Sequence, residues 1–458
     1  MNALKKAFFI VMASLAATAF AAGTADQGAG AKGKVNITFM AWYNTTQSEG
    51  QAVQAKIDEF NASQDRIHVT LMIIPRDGYE TKVNTMAAGK QLPDATQLSE
   101  AMAVEFAAAG LLADVSGMYP ANDAPLKSLT FTYNGKAVGY SSGNEVLLLY
   151  YNKKIFDKAG IPYPPASADK AWTWDEFVAV AKKLTVDKNG VTADKPGFDP
   201  KNIVQYGADF NRIWWMWPIA CVSNGGGLMS ADGKELLIGK PESVEAMQAV
   251  ADLYVKHKVA PSRADLNAMA TLDVNLLTGK VAMATSGQWE IGVSLKNSVP
   301  DGLDYGVAVL PKLKKAVTYN TGAPFGVFKT SAHQAEAMEF VRWYADEKNV
   351  WSPQITEGIL MPVKARYYSD EKTMRSWADP EVTKTARPPF AQYKTAVIDY
   401  AMNNAVQVPW YYFNGYQGLN DILESGIDNV WNGKTSAKDY ITSILPQLQK
   451  YFDEHKAK

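Results

Sequence analysis

The chain has 458 residues, 47% of them apolar and 20% charged, with 46 Lys and Arg against 47 Asp and Glu. That length suits two or three domains with cores of their own, and the near-zero balance excludes a chain-wide electrostatic grip on nucleic acid or an anionic membrane. A single cysteine, Cys221, excludes an intramolecular disulfide and any four-cysteine zinc or iron–sulfur site. Twelve Trp and 22 Tyr supply flat, amphipathic side chains that suit ligand clefts as well as cores.

Residues 1–21 read as a secretory signal. Lys5 and Lys6 open it, residues 7–16 (AFFIVMASLA) are apolar, and Ala19-Phe20-Ala21 is a small-x-small cleavage site. The alternative, a membrane anchor, has only the uncharged run 7–24, short for a span and rich in Ala and Gly at its far end. No cysteine follows the cleavage site to carry a lipid, so a soluble protein held in a periplasm is expected. Residues 22–34 read as a flexible lead-in, rich in Gly and Ala.

The first regular element alternates Val35, Ile37, Phe39 and Ala41 with Asn36, Thr38 and Met40, which predicts a strand ending at Trp42-Tyr43-Asn44. Val53, Ile57 and Phe60 then fall at helical spacing, and residues 67–74 are β-rich; this β-α-β order implies parallel strands with a crossover helix. Residues 146–151 (VLLLYY) predict a buried strand. Thr173-x-x-Glu176 and Ser331-x-x-Gln334 read as capping boxes, and Ser243 as the cap of a third helix. Residues 187–202, rich in Gly, Pro and Asp, read as a surface loop. No repeat of 20–50 residues occurs, which excludes solenoids and propellers. The fold class is mixed α/β, with ligands expected at the carboxyl ends of strands.

Motifs for chemistry are weak. Gly139-Tyr140-Ser141-Ser142-Gly143 matches G-x-S-x-G, but a β-like run follows where a nucleophile elbow needs a helix, so a turn is expected. His68, His257, His333 and His455 sit in unrelated elements and form no metal-binding pair. No phosphate-cradling glycine loop is present. Asp187-x-Asn189-Gly190 begins like a calcium loop, but its glycine falls two positions early for an EF-hand, leaving a plain turn as the alternative. Cys221, in an apolar stretch, reads as a buried structural thiol. A glycosidase carboxylate pair is defined by geometry, which spacing does not supply.

Four segments carry a resemblance. One runs over residues 79–94, with Lys82, Ala87-Ala88-Gly89 and Leu92-Pro93-Asp94, closed by Gly110-Leu111-Leu112. The next holds Glu145, Tyr151-Asn152-Lys153-Lys154-Ile155-Phe156, Ala159-Gly160-Ile161, Pro164-Pro165 and Thr173-Trp174-Asp175-Glu176-Phe177. Leu277-Thr278-Gly279-Lys280-Val281-Ala282-Met283 with Gly287-Gln288-Trp289 follows, then Thr321-Gly322-Ala323-Pro324-Phe325, the Ser331 helix, Gly358 and Pro362-Val363. In this order they resemble the extracellular solute-binding proteins of ATP-driven sugar importers, the group that includes maltose-binding protein.

The resemblance implies two lobes, each a mixed, mostly parallel sheet flanked by helices, joined by hinge strands and closing over a sugar. It places one lobe at 35–144 and 323–366 and the other at 145–322 and 367–458. It also implies membrane permease subunits of an ABC transporter as partners, a monomer without cofactor or metal, and no enzymatic activity. A sugar ring has an apolar face and an equator of hydroxyls, so it calls for aromatic platforms and in-plane hydrogen-bonding groups. Trp42, Tyr43 and Asn44 end the first strand, where the cleft should lie. By analogy Glu145, seven residues before Asn152, contacts sugar, and Trp214 and Trp289 stack on it. Glu100, Asn144, Gly322 and Trp410 complete the candidates. Which ring of Trp214, Trp215 and Trp217 stacks is open, and the 187–202 loop is longer than in maltose-binding protein. Trp172, Trp174, Trp343, Trp351, Trp377 and Trp431 are assigned to cores or surface packing. The rival readings are a secreted carbohydrate-active enzyme, which would cleave its ligand, and a receptor for a polyamine or phosphodiester.

Overall fold

The computed structural model describes residues 33–43, 48–75, 78–345, 353–411 and 413–456. The expected signal, residues 1–21, and most of the lead-in lie outside them, as do Asn44 and Trp351. Among the described residues no helix is long and apolar enough to cross a membrane.

The strands in chain order are β1 (Val35–Trp42), β2 (Ile67–Ile74), β3 (Ala95–Gln97), β4 (Thr130–Tyr133), β5 (Lys136–Ser141) and β6 (Glu145–Asn152). Then come β7 (Val186–Asp187), β8 (Ile203–Gln205), β9 (Met283–Gly287), β10 (Tyr305–Ala308), β11 (Thr318–Thr321), β12 (Pro324–Val327) and β13 (Ala405–Gln407). They form two main sheets, ordered β2-β1-β3-β12-β5-β4 and β10-β6-β11-β13, with β9 also on β6. Around them lie helices, among them α1 (Ser48–Ser63), α2 (Tyr79–Ala88) and α3 (Glu100–Ala108). The architecture is the two-lobed α/β fold expected.

In the first lobe β1 pairs in parallel with β2 from Val35↔Ile67 to Trp42↔Ile74, as the β-α-β order requires. Ile37 and Phe39 pack with α1 residues Val53, Ile57 and Phe60 and with the helix Gln334–Ala345. Met40 points to the opposite face and is equally buried, against Tyr79 and Val83 of α2. Both faces of β1 are therefore covered, as parallel central strands demand. In the second lobe β6 divides by parity: Val146, Leu148 and Tyr150 enter one core, Leu147, Leu149 and Tyr151 the other. All its main pairings, to β9, β10 and β11, are antiparallel. The sheets are thus mixed but not mostly parallel: β12 enters the first sheet from the second lobe and runs against β3 and β5, while β9, β10 and β11 all run against β6.

The chain crosses between sheets from β5 to β6 and from β11 to β12, and a third segment pairs beside them through Asn144↔Met361 and Pro125↔Lys364. Asn144 ties the three together. Its backbone exchanges hydrogen bonds with Met361 (2.9 and 3.0 Å), its Oδ1 accepts from Asn320 Nδ2, and its Nδ2 donates to the Tyr368 hydroxyl (3.2 Å). Gly322, with φ +153°, crosses where an added Cβ would lie 2.0 Å from Ser141 Oγ and 2.3 Å from the Gly143 carbonyl.

Of the helix starts, Thr173 and Glu176 form the full capping box of Trp174–Leu184. The other two differ. Ser331 Oγ donates to Asp94 Oδ1 (2.5 Å) and accepts from the His333 N–H (2.9 Å), so the serine ties loop to loop ahead of a helix that begins at Gln334. Ser243 lies inside the helix Pro241–Val255, which Pro241 opens; its buried hydroxyl holds Gly227 through the N–H (3.0 Å) and carbonyl (2.9 Å).

Candidate functional site

A cavity of about 430 Å³ opens where the strands of both lobes end and the chain crosses. From the first lobe Trp42 and Tyr43 reach it at the end of β1, Gln97 at the end of β3 and Glu100 at the start of α3. Tyr79 fixes this wall from behind. Its ring stands edge-on to Trp42 (5.3 Å, 83°), and its hydroxyl donates to the Gln97 carbonyl (2.7 Å).

The second lobe supplies two aromatic corners. Trp215 meets Trp289 at 5.2 Å and 63°, while Trp214 meets Trp410 at 5.1 Å and 65°. All four rings line the cavity. Trp289 can fold back over its own strand because residue 287 is glycine: a Cβ there would sit 2.1 Å from the indole. Trp410 is only 1% exposed, held by Tyr319 (5.8 Å) and Tyr416 (5.0 Å). Trp217 turns away into the core, against Trp431 (5.7 Å), with Nε1 donating to Glu424 Oε1 (3.4 Å). So Trp214 and Trp215 face the cavity and Trp217 does not.

Three carboxylates line the same space. Glu100 Oε1 accepts from the Gly322 N–H (3.2 Å), and Glu145 Oε2 accepts from Thr321 Oγ1 (3.3 Å), so each reaches across to the returning crossing segment. Glu290 accepts from Ser286 Oγ (3.2 Å) and Ser294 Oγ. Burial pushes its carboxyl above the usual range, against those hydroxyls. Gln97 Oε1 and Trp410 Nε1 are buried without a hydrogen-bond partner among the described residues.

Of the sequence candidates, Trp42, Tyr43, Glu100, Glu145, Trp214, Trp289 and Trp410 therefore meet on one cavity wall. Asn144 and Gly322 stand in the crossing segments beside it, and Asn44 lies outside the described residues. Sequence reasoning did not single out Gln97, Glu290, Ile359 or Leu360, which also line it. Only Glu290 carried a signal, as the neighbour of Trp289. Of the other tryptophans, Trp174, Trp377 and Trp431 are buried, and Trp172 and Trp343 are partly buried.

The motifs set aside also find places. Gly139–Ser141 finishes β5 rather than forming a turn; the bend comes after it, and Ser141 Oγ is committed to the Gly143 carbonyl (2.6 Å). Asp187 spends both oxygens on its own loop, accepting from the N–H groups of Asn189 (2.8 Å), Val191 (2.9 Å) and Asp199 (2.8 Å). Among the described residues no group of three or more His, Cys, Asp or Glu is placed to hold a metal ion. Cys221 is buried, which pushes its thiol up to about 12.

The sequence profile of bacterial extracellular solute-binding proteins matches residues 43–351. The sn-glycerol-3-phosphate-binding periplasmic protein UgpB of Agrobacterium fabrum is 26% identical over 72% of this chain and 75% of its own. The fold is that of an ABC substrate-binding protein of Listeria monocytogenes in complex with cycloalternan, with a TM-score of 0.76 at 24% identity, over 91% of this chain and 98% of that one. UgpB of Mycobacterium tuberculosis, in complex with glycerophosphocholine, aligns with a TM-score of 0.71 at 18% identity, over 93% and 99%.

Proposed function

The chain belongs to the bacterial extracellular solute-binding proteins, and from that premise we propose that it is a periplasmic receptor for a sugar or short oligosaccharide, which it delivers to the permease of an ABC transporter. The observation that carries the reading is the cavity wall: indoles from both lobes and carboxylates, set where the chain crosses between lobes. Indoles suit the apolar face of a sugar ring; carboxylates, Gln97 Oε1 and Trp410 Nε1 suit its hydroxyls. In this reading Trp42, Tyr43, Asn44, Glu100, Glu145, Trp214, Trp289 and Trp410 contact the ligand. Asn144 and Gly322 belong to the hinge between lobes 35–144 with 323–366 and 145–322 with 367–458. Ligand bridging the lobes stabilises the closed state only by the difference between its affinities for closed and open forms. The protein acts as a monomer and returns its ligand unchanged; the relatives above are binding proteins.

The name of the Agrobacterium relative favours a second reading, a glycerol phosphate ligand. Thermal unfolding against neutral mono- and oligosaccharides and sn-glycerol 3-phosphate separates the two. A rise in melting temperature with a neutral sugar, recovered intact, is expected. Cleaved sugar would replace the receptor with an enzyme, and a rise with the phosphate alone would replace the sugar.

A further inference from the structure

Glu290 sits at a junction. Strand β9 ends at Gly287, Trp289 turns over it, and Glu290 leads into a π-helical turn, Ile291–Leu295. The wide turn brings Ser294 back to Glu290 Oε2, while Ser286, the penultimate residue of the strand, holds Oε1 at 3.2 Å. Each carboxylate oxygen thus takes one hydroxyl from the protein and keeps acceptor capacity. The residue lines the cavity beside Trp289, Trp215 and Val293. A carboxylate clamped from behind has little freedom to turn away, and what enters beside it must bring donors.

Resting on the sugar reading above, we propose that Glu290 is a specificity residue of the cavity. Its two oxygens accept hydrogen bonds from neighbouring hydroxyls of a neutral sugar ring lying against Trp289 and Trp215, and its charge rejects solutes that bring a phosphate or carboxylate to that corner. Hydroxyl-to-carboxylate bonds are short and strong, whereas a second anion in the same buried corner is disfavoured. Burial raises the carboxyl's pKa before ligand arrives, with Asp273 adding repulsion, while hydrogen bonds from Ser294, Ser286 and Trp289 favour the charged form; Tyr150 of β6 also faces it. Donors from a sugar stabilise the ionised form, so affinity falls as pH drops and Glu290 takes up a proton.

Calorimetric titration tests this with a panel of neutral mono- and oligosaccharides, maltose and maltotriose among them, and with sn-glycerol 3-phosphate. Wild-type protein is expected to bind a neutral member and not the phosphate. Glu290→Gln, with unchanged melting temperature, should weaken the sugar about tenfold or more and flatten the pH profile, Asp273 and Tyr150 being common to both proteins. Undiminished affinity in Glu290→Gln overturns the assignment. So does a flat wild-type profile, a measurement that holds even if the variant folds poorly. Binding of the phosphate alone, or of no neutral sugar, removes the sugar reading itself, which is a different failure from a sugar that binds without Glu290.

Discussion

Trp214 and Trp217 stand three residues apart and meet opposite surroundings. Trp217 caps the start of the helix Pro218–Ser223, whose residues are nearly all buried, and its ring is fully enclosed. Trp214 and Trp215, in the turn before that helix, keep part of their rings open to the cavity, the first beside Trp410 and Tyr416 and the second beside Trp289. The same side chain therefore fills a core in one place and lines the cavity in the other. Trp214 and Trp217 stand in one turn, residues 214–217, and what separates them is which side of it each ring leaves.

The largest expected effect tests the core side. Trp217→Ala should cost about 3–5 kcal/mol of stability, the usual range for emptying a large buried aromatic site, read as a lower urea midpoint. Trp289→Ala should leave that midpoint nearly unchanged and weaken sugar binding about 100-fold, which corresponds to about 2.7 kcal/mol. If Trp289→Ala unfolds as readily as Trp217→Ala, both rings are core and the contrast collapses. Retained affinity in Trp289→Ala would remove that ring from the site.

A gentler change sharpens the contrast. Gly287→Ala leaves every ring in place by name but puts a Cβ 2.1 Å from the Trp289 indole, so the ring must move off the strand. A loss of sugar affinity of about tenfold is expected, on the order of 1.4 kcal/mol, with little change in melting temperature. Unaltered affinity would mean that the indole's seat is not what the ligand reads.

Alternation revealed β1 and an unbroken apolar run revealed β6, whose side chains of both parities are buried, and the end of β1 pointed to Trp42 and Tyr43. Glu145, Trp214 and Trp289 came from resemblance instead, since no spacing rule separates a cavity indole from a core one. Glu290 and Gln97 were hidden for a different reason. Each belongs to a short turn or a three-residue strand, where the direction of one side chain depends on long-range packing. Ser243 and Ser331 misled because a serine near a helix start also suits a loop tie, and the partners, Gly227 and Asp94, are far away in sequence.

The smallest effect concerns the carboxylate beneath Trp217. Burial, with repulsion from Asp428, pushes Glu424 to about 7 from its ordinary 4.5, although the Trp217 N–H and Arg263 favour the charged form. Between those two values the folded chain holds a proton that the unfolded chain has released. Stability from this group is therefore complete below about pH 4.5, falls as pH rises through 7, and stays low above. Glu424→Gln removes the group from that balance, so the difference in urea midpoint between variant and wild type should grow from pH 5 to about pH 8. A difference that does not change with pH would dismiss Glu424 as the titrating group. Cavity and core again diverge: at Glu290 the cost of burial can be relieved by donors that arrive with a ligand, whereas at Glu424 the Trp217 N–H and Arg263 offset only part of it and a proton relieves the rest.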